Sequence, residues 1–137
     1  MINGDLIKNR ILIIGSNGML GQRLVEYFGN DPKIELKCAS AENKSFTPEI
    51  DYTQLDIRQK NKVRELILGF FPDFIINAAA FTDVDKSETE KENAWKINVT
   101  GLENIALYAW TVDAHLIHIS SDYIFDGSYT YEVKTNL

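Results

Sequence analysis

Three glycines and two short polar clusters supply the residue types that could do chemistry. Gly15, Gly18 and Gly21 stand in the stretch ILIIGSNGMLG of residues 11–21, spaced G-x-x-G-x-x-G. Gly15 permits a sharp exit from the apolar run, Gly18 lets a diphosphate approach the backbone without meeting a Cβ, and Gly21 lets the next helix pack closely. Unpaired N–H groups and the positive dipole end of a helix opening at Met19 would then face phosphates. The spacing departs from the G-x-G-x-x-G of the commonest dinucleotide fingerprint, and a glycine triplet also describes a plain strand-to-helix turn. Its position directly after a buried strand favours the phosphate cradle. The second cluster, Asn77-Ala78-Ala79-Ala80, offers a shallow floor on which a ribose or a flat ring could lie, or else only a tight helix contact. The third, Ser120-Ser121-Asp122-Tyr123, puts two hydroxyls and a carboxylate at a strand end, as a lip facing a substrate.

These residues need a scaffold that brings strand ends together, and the hydrophobic pattern describes one. Ile11 to Ile14 reads as a strand buried on both faces. Met19 to Phe28 follows as a helix, with Leu20, Leu24 and Val25 on one face continued by Tyr27 and Phe28, and Gly29-Asn30-Asp31-Pro32 closes it. Lys33 to Cys38 predicts a second strand. Its tip, Lys37-Cys38-Ala39-Ser40, is where a dinucleotide's adenosine ribose is selected, and no acid occurs there before Glu42. A neutral tip with Lys37, Ser40 and Lys44 nearby leans towards NADP, or towards tolerance of both cofactors. Cys38 reads as a small strand-end hydrophobe rather than a redox group, since it has no partner cysteine.

Gln54-Leu55-Asp56-Ile57 predicts a brief strand end, and Arg58 to Phe70 a helix with Val63, Ile67 and Phe70 at helical spacing, ended by Gly69 and Pro72. Asp56 fits a helix N-cap or an adenine contact equally well. Phe74-Ile75-Ile76 is the next buried strand. The charged run TDVDKSETEKEN reads mostly as solvated helix surface, and Asn93 to Trp110 as a long helix with Ile97, Gly101, Ile105 and Tyr108 on one face. Asn98 lies within that helix and needs partners if buried. Leu116 to Ile119 predicts the last strand, with His118 a hydrogen-bonded structural histidine. Strands and helices alternate without a hairpin, which specifies a doubly wound parallel α/β sheet, a Rossmann-like dinucleotide-binding fold of three α/β/α layers, with residues 1–137 as one domain.

Bulk composition narrows the partners. In 137 residues, 45% hydrophobic, a single core can form. The net charge of −6 argues against a nucleic-acid or anionic-membrane surface. One cysteine, no apolar run of membrane-spanning length and no secretory h-region in MINGDLIKNR lead to the expectation of a cytoplasmic protein.

ILIIGSNGMLGQRL, QLDI, PDFIINAAAFTDVDKSE, AWKINVTGLENIA and HISSDYIFDG, in this order, resemble the dTDP-4-dehydrorhamnose reductases of the extended short-chain dehydrogenase/reductase superfamily. The resemblance implies NADPH- or NADH-dependent reduction of the 4-keto group of dTDP-4-dehydro-L-rhamnose in polysaccharide biosynthesis. It implies that Gly15, Gly18, Met19, Leu20 and Gly21 hold the pyrophosphate, that Asp56 and Ile57 flank the adenine, and that Ala78, Ala79 and Ala80 line the ribose and nicotinamide. Ser121 would polarise the substrate carbonyl and Asp122 help place the dTDP-sugar. Asn17, Cys38, Ser40 and Asn98 complete the candidate cofactor-binding set, with no metal.

The family often has an acid where this chain has Cys38. It also has a proton-donating tyrosine in Y-x-x-x-K, whereas here no tyrosine is followed four residues later by lysine. EVKTNL resembles the run just before that motif, so the expectation is a reductase portion truncated before its substrate-binding half and inactive alone. Its uncovered apolar edge would favour self-association. The alternative is a non-catalytic nucleotide-binding subunit, since the regulatory subunit of methionine adenosyltransferase resembles the same reductases.

Overall fold

The computed structural model describes residues 7–79 and 88–119. Among the described residues eight elements follow one another: β1 (Asn9–Ile14), α1 (Met19–Gly29), β2 (Ile34–Ser40), β3 (Tyr52–Gln54), α2 (Lys60–Phe70), β4 (Phe74–Asn77), α3 (Glu88–Thr111) and β5 (His115–His118). The strands form one five-stranded sheet in the order β3-β2-β1-β4-β5, and every pairing is parallel. The order reverses between β1 and β4, so their carboxyl ends open the crevice where ligands of doubly wound sheets bind.

Alternation along β1 explains why its sequence is apolar without a break. Ile11 and Ile13 point into one core layer with Val25 of α1, Cys38 and Ile76. Leu12 and Ile14 point the other way, into a layer built with Val63 and Ile67 of α2 and Ile105 and Ala109 of α3. A parallel strand covered on both faces has no solvent side on which a polar residue could sit.

Four boundaries or faces differ from the sequence reading, each for a local reason. On α1 the sheet-facing stripe is Gly21, Leu24, Val25 and Phe28, spaced i, i+3, i+4, i+7. Leu20 and Tyr27 flank this stripe and are 44% and 77% exposed. β2 runs two residues further than expected, because Ile13 and Ile14 of β1 pair with Cys38 and Ala39, and β3 pairs with Ser40. The tip of β2 therefore lies at Ala41-Glu42. Leu55 and Ile57 are loop residues plugged into the core rather than a strand, since β3 has already ended at Gln54. Gly69 lies inside α2; the helix ends at Phe70, just before Pro72, with Phe71 left-handed at φ 54° and its N–H on the Ile67 carbonyl.

Arg10 clamps the other end of the sheet. Its Nε and Nη2 donate to the Phe70 carbonyl at 2.9 and 2.5 Å, Nη1 donates to Glu35 at 2.8 Å, and its guanidinium lies 4.4 Å from the centre of the Phe70 ring. Its backbone N–H also meets the Asp73 carboxylate at 2.9 Å. Arg10→Ala leaves the Phe70 carbonyl without these donors and removes the cation–π contact. We expect it to lower unfolding free energy by roughly 1–3 kcal/mol in urea titration, with Arg10→Lys restoring only part because an ammonium lacks the planar fork.

Candidate functional site

The glycine turn is tight because backbone from three places converges on it. Gly15 has φ +84°, and a Cβ there would lie 2.5 Å from the Ala79 nitrogen and 2.6 Å from the Ala78 carbonyl carbon. Its N–H and that of Ser16 both donate to the Ala39 carbonyl, at 2.7 and 3.1 Å. A Cβ on Gly21 would sit 2.1 Å from the Gly15 carbonyl oxygen, so what Gly21 permits is contact of α1 with the turn itself. Gly18 differs from both: its nearest neighbour would be that same oxygen at 3.4 Å, and the space beyond is open. It is also the N-cap of α1, extended at φ −70° and without a side-chain cap bond, so the first-turn N–H groups keep their capacity for an external acceptor.

In front of the turn lies a cavity of about 380 Å³ lined by Ile14, Gly15, Asn17, Gly18, Ser40, Ala41, Glu42, Leu55, Asp56, Ile57, Arg58, Ala78 and Ala79. Eight of the sequence-derived candidates thus meet there: Gly15, Asn17, Gly18, Ser40, Asp56, Ile57, Ala78 and Ala79. Met19 and Leu20 open α1 beside it, and Gly21 is buried under the turn. Cys38 is a correction: it is wholly buried with Ile11, Ile13, Val25 and Ile76, two residues before the strand end, and cannot reach a ligand in the cavity. Burial, reinforced by the nearby Asp51 charge, pushes its thiol up to about 12. Asn98 lies half-buried on α3 and does not line the cavity. Ala80, Ser121 and Asp122 lie outside the described residues. A larger groove of about 960 Å³ shares Ala41, Leu55, Asp56 and Arg58 with this cavity but runs along β3 and α2, away from the glycines.

Asp56 is not the N-cap of α2; Gln59 holds that place. Instead its carboxylate accepts the Arg58 backbone N–H at 3.0 Å and the guanidinium in three contacts of 2.7–3.2 Å. The Arg58 hydrogen bonds hold the Asp56 carboxyl below the usual carboxylate range. Asn17, only 5% exposed, organises the opposite rim. Its Nδ2 donates to Glu42 Oε1 at 3.1 Å, to the Lys44 carbonyl at 2.9 Å and to the Tyr52 hydroxyl at 3.4 Å, while Oδ1 accepts the Phe46 N–H at 2.7 Å. The Tyr52 hydroxyl in turn lies against the Ser40 and Glu42 carbonyls, which share its one proton. Asn17 thereby shapes the rim, its amide fully occupied by protein.

The sequence matches the protein-family model described as RmlD substrate binding domain over residues 9–136. The chain belongs to this family. It is 36% identical over 118 residues to the dTDP-4-dehydrorhamnose reductase of Aggregatibacter actinomycetemcomitans, covering 86% of this chain and 36% of that protein. It is also 36% identical over 119 residues to methionine adenosyltransferase 2 subunit beta of Xenopus tropicalis, covering 87% of this chain and 34% of that protein. Among solved structures, it matches dTDP-4-dehydrorhamnose reductase from Bacillus anthracis in complex with NADP, with a TM-score of 0.74 and 33% identity, over 89% of this chain and 39% of that one. The chain thus spans little more than a third of the length of these relatives.

In this RmlD-family chain the sequence did not show how two supports of the cavity are held. Gly101 of α3 meets Ile57, whose Cδ1 would lie 2.2 Å from a Cβ at that position, and Asn104, one turn on, donates from Nδ2 to the Ile57 carbonyl at 2.9 Å. A small residue and a buried amide three apart on one helix face were the available signal. The other is Asn77 at the end of β4. Its Oδ1 accepts the Ala79 N–H at 3.1 Å, which fixes the amide so that Nδ2 donates to His118 Nδ1 at 3.1 Å. The ring is therefore neutral, with its proton on Nε2.

His118 keeps an exposed face, and partial desolvation of its ring lowers its pKa from the usual imidazole value. Because the folded-state value is the lower one, its contribution to stability is intact above about pH 6.5 and is lost as pH falls through the depressed value. We expect NMR titration to give a His118 midpoint below about 6.5, with the Asn77 side-chain amide signals and β4–β5 amide protection changing in step. An ordinary or raised midpoint would contradict the Asn77–His118 bond.

Proposed function

We propose that this chain binds NAD(P)H, as the cofactor-holding part of a dTDP-4-dehydrorhamnose reductase. The observation that carries the reading is the glycine turn at the sheet's switch point, open at Gly18 and uncapped at α1, facing a cavity that runs from the β2 tip to the Ala78-Ala79 floor. The diphosphate would lie against the Gly18 backbone and the first N–H groups of α1. The adenine end would reach Ser40 to Glu42 and Asp56 to Arg58, and the other half of the dinucleotide would run over Ala78 and Ala79. The match to a relative solved in complex with NADP supports dinucleotide binding.

When bound, the cofactor supplies hydride to a carbonyl carbon. The chain's part is to place the nicotinamide, with Ser121 and Asp122 proposed to hold the sugar's carbonyl end. Without a tyrosine followed four residues later by lysine, these 137 residues hold no matched proton donor for the developing alkoxide, and we expect no useful turnover from them alone. Titration with NADH and NADPH, followed by calorimetry, tests the binding half: saturable one-site binding, competed by ADP, is expected. Absence of binding for both would overturn the reading. A normal turnover rate with dTDP-4-dehydro-L-rhamnose would overturn the expectation of inactivity.

A second reading, nucleotide binding in the service of a partner enzyme, is favoured by the similarity to methionine adenosyltransferase 2 subunit beta. It predicts the same cofactor titration and no reductase turnover even when a Y-x-x-x-K segment from a relative is appended.

A further inference from the structure

We infer that Glu42 makes this site selective for NAD(H) over NADP(H), its carboxylate receiving the adenosine ribose hydroxyls and excluding a 2′-phosphate. The inference rests on the dinucleotide reading above and deepens it. It also reverses what the neutral Lys37-to-Ser40 stretch suggested, and the reason is geometric. β2 continues to Ser40, so the residues at its tip are Ala41 and Glu42, and both line the cavity. In doubly wound folds the adenosine ribose lies at that tip, where a carboxylate accepts the 2′-OH and repels a 2′-phosphate.

Glu42 is exposed at the rim, and two features hold it in place. Its Oε1 accepts from the buried Asn17 amide at 3.1 Å, and its carbonyl accepts from the Tyr52 hydroxyl. Asn17 is itself anchored on the Lys44 carbonyl and the Phe46 N–H. No compensating cation is available among the described cavity-lining side chains. Arg58 is the one cation there, and its guanidinium is taken up by Asp56. Lys37, which the sequence placed near a 2′-phosphate, directs its ammonium to Asp51 at 3.0 Å and lies outside this cavity. Glu42, Asp56 and Arg58 together leave the lining with an excess negative charge, against which a phosphate dianion would have to bind.

Calorimetric titration of the wild-type chain with NADH and with NADPH is the test, repeated on Glu42→Gln and at high salt. Glutamine keeps an acceptor for the Asn17 amide, so the loop is retained while the charge is lost. We expect NADH to bind at least about tenfold more tightly than NADPH to the wild type, as one close like-charge contact at intermediate dielectric allows. Glu42→Gln should shrink that ratio severalfold, chiefly through tighter NADPH binding. The salt series needs no variant: at about 1 M ionic strength, where screening acts within about 3 Å, the wild-type ratio should also narrow. Equal wild-type affinities, or a ratio unmoved by both substitution and salt, would overturn the role of Glu42 while leaving the dinucleotide site standing. Failure of both nucleotides to bind would overturn the site and this role with it.

Discussion

Alanine at position 15 is expected to cost this chain roughly 2–5 kcal/mol of unfolding free energy, a large part of the 5–15 kcal/mol typical of a domain. Two effects add. An L side chain at φ +84° carries left-handed strain of about 1–2 kcal/mol, and the new Cβ overlaps the Ala78-Ala79 peptide, which is backbone and cannot rotate aside. Alanine at position 21 should follow, at about 1–3 kcal/mol, because its overlap with the Gly15 carbonyl outweighs the ~1 kcal/mol gained from helix propensity. Gly18→Ala should behave differently. With its nearest neighbour at 3.4 Å and an ordinary φ, it should leave stability within about 0.5 kcal/mol of wild type, yet weaken NADH binding by about tenfold or more, since the methyl group enters the space assigned to the diphosphate. Urea titration and calorimetry on the three variants separate the two roles. A Gly18→Ala chain that binds NADH like wild type would remove the diphosphate from this turn. A Gly15→Ala chain as stable as wild type would contradict the packing against Ala79.

The contrast among the three glycines shows what a linear pattern can and cannot convey. Their spacing after Ile11–Ile14 was enough to place a strand, a turn and a helix, because a strand buried on both faces has to be apolar at every position. Val63, Ile67 and Phe70 marked the inner face of α2 for the same reason: each is buried where helical periodicity puts it. The spacing carried no information on what each glycine would touch. Gly15 meets a strand end more than sixty residues away, and Gly21 meets Gly15. Leu55 and Ile57 misled by being apolar. Their side chains plug the core from a loop, and the carbonyl that a strand would have paired is paired instead by Asn104, 47 residues on. At the β2 tip the sequence offered Lys37, Ser40 and Lys44 as neighbours of a nucleotide. The fold assigns Lys37 to Asp51 and puts forward Glu42, which linear reading had left beyond the tip. The Ile57 carbonyl and the Lys37 ammonium both took partners distant in sequence, Asn104 and Asp51, and such pairings have no period.

The largest single loss of rim structure is expected from Asn17, where substitution also discriminates between lost contacts and introduced charge. Asn17→Ala removes the acceptor of the Phe46 N–H and the donor shared by Glu42, the Lys44 carbonyl and the Tyr52 hydroxyl. At about 0.5–1.5 kcal/mol net for each well-formed bond, roughly 2–4 kcal/mol of local stability should go with it. The loss should show as faster amide exchange and proteolysis in the 41–50 loop, with the sheet core still protected. Asn17→Asp is sterically milder and should nonetheless be worse at neutral pH. The aspartate can still accept from Phe46, but its second oxygen replaces a donor with a charge facing the Glu42 carboxylate and two acceptors. The Asn17 amide now lowers the Glu42 pKa, so the aspartate removes that support and raises the proton affinity of the pair. A carboxyl whose folded-state pKa is raised contributes stability below its unfolded value of about 4 and loses it as pH rises through the folded value. Asn17→Asp should therefore fall below Asn17→Ala at pH 7 and recover relative to it as pH drops towards about 4, in parallel urea titrations across that range. Equal behaviour of the two variants at every pH would mean that the Asn17 amide does not face Glu42, and the rim would then have to be held by the Phe46 and Lys44 contacts alone.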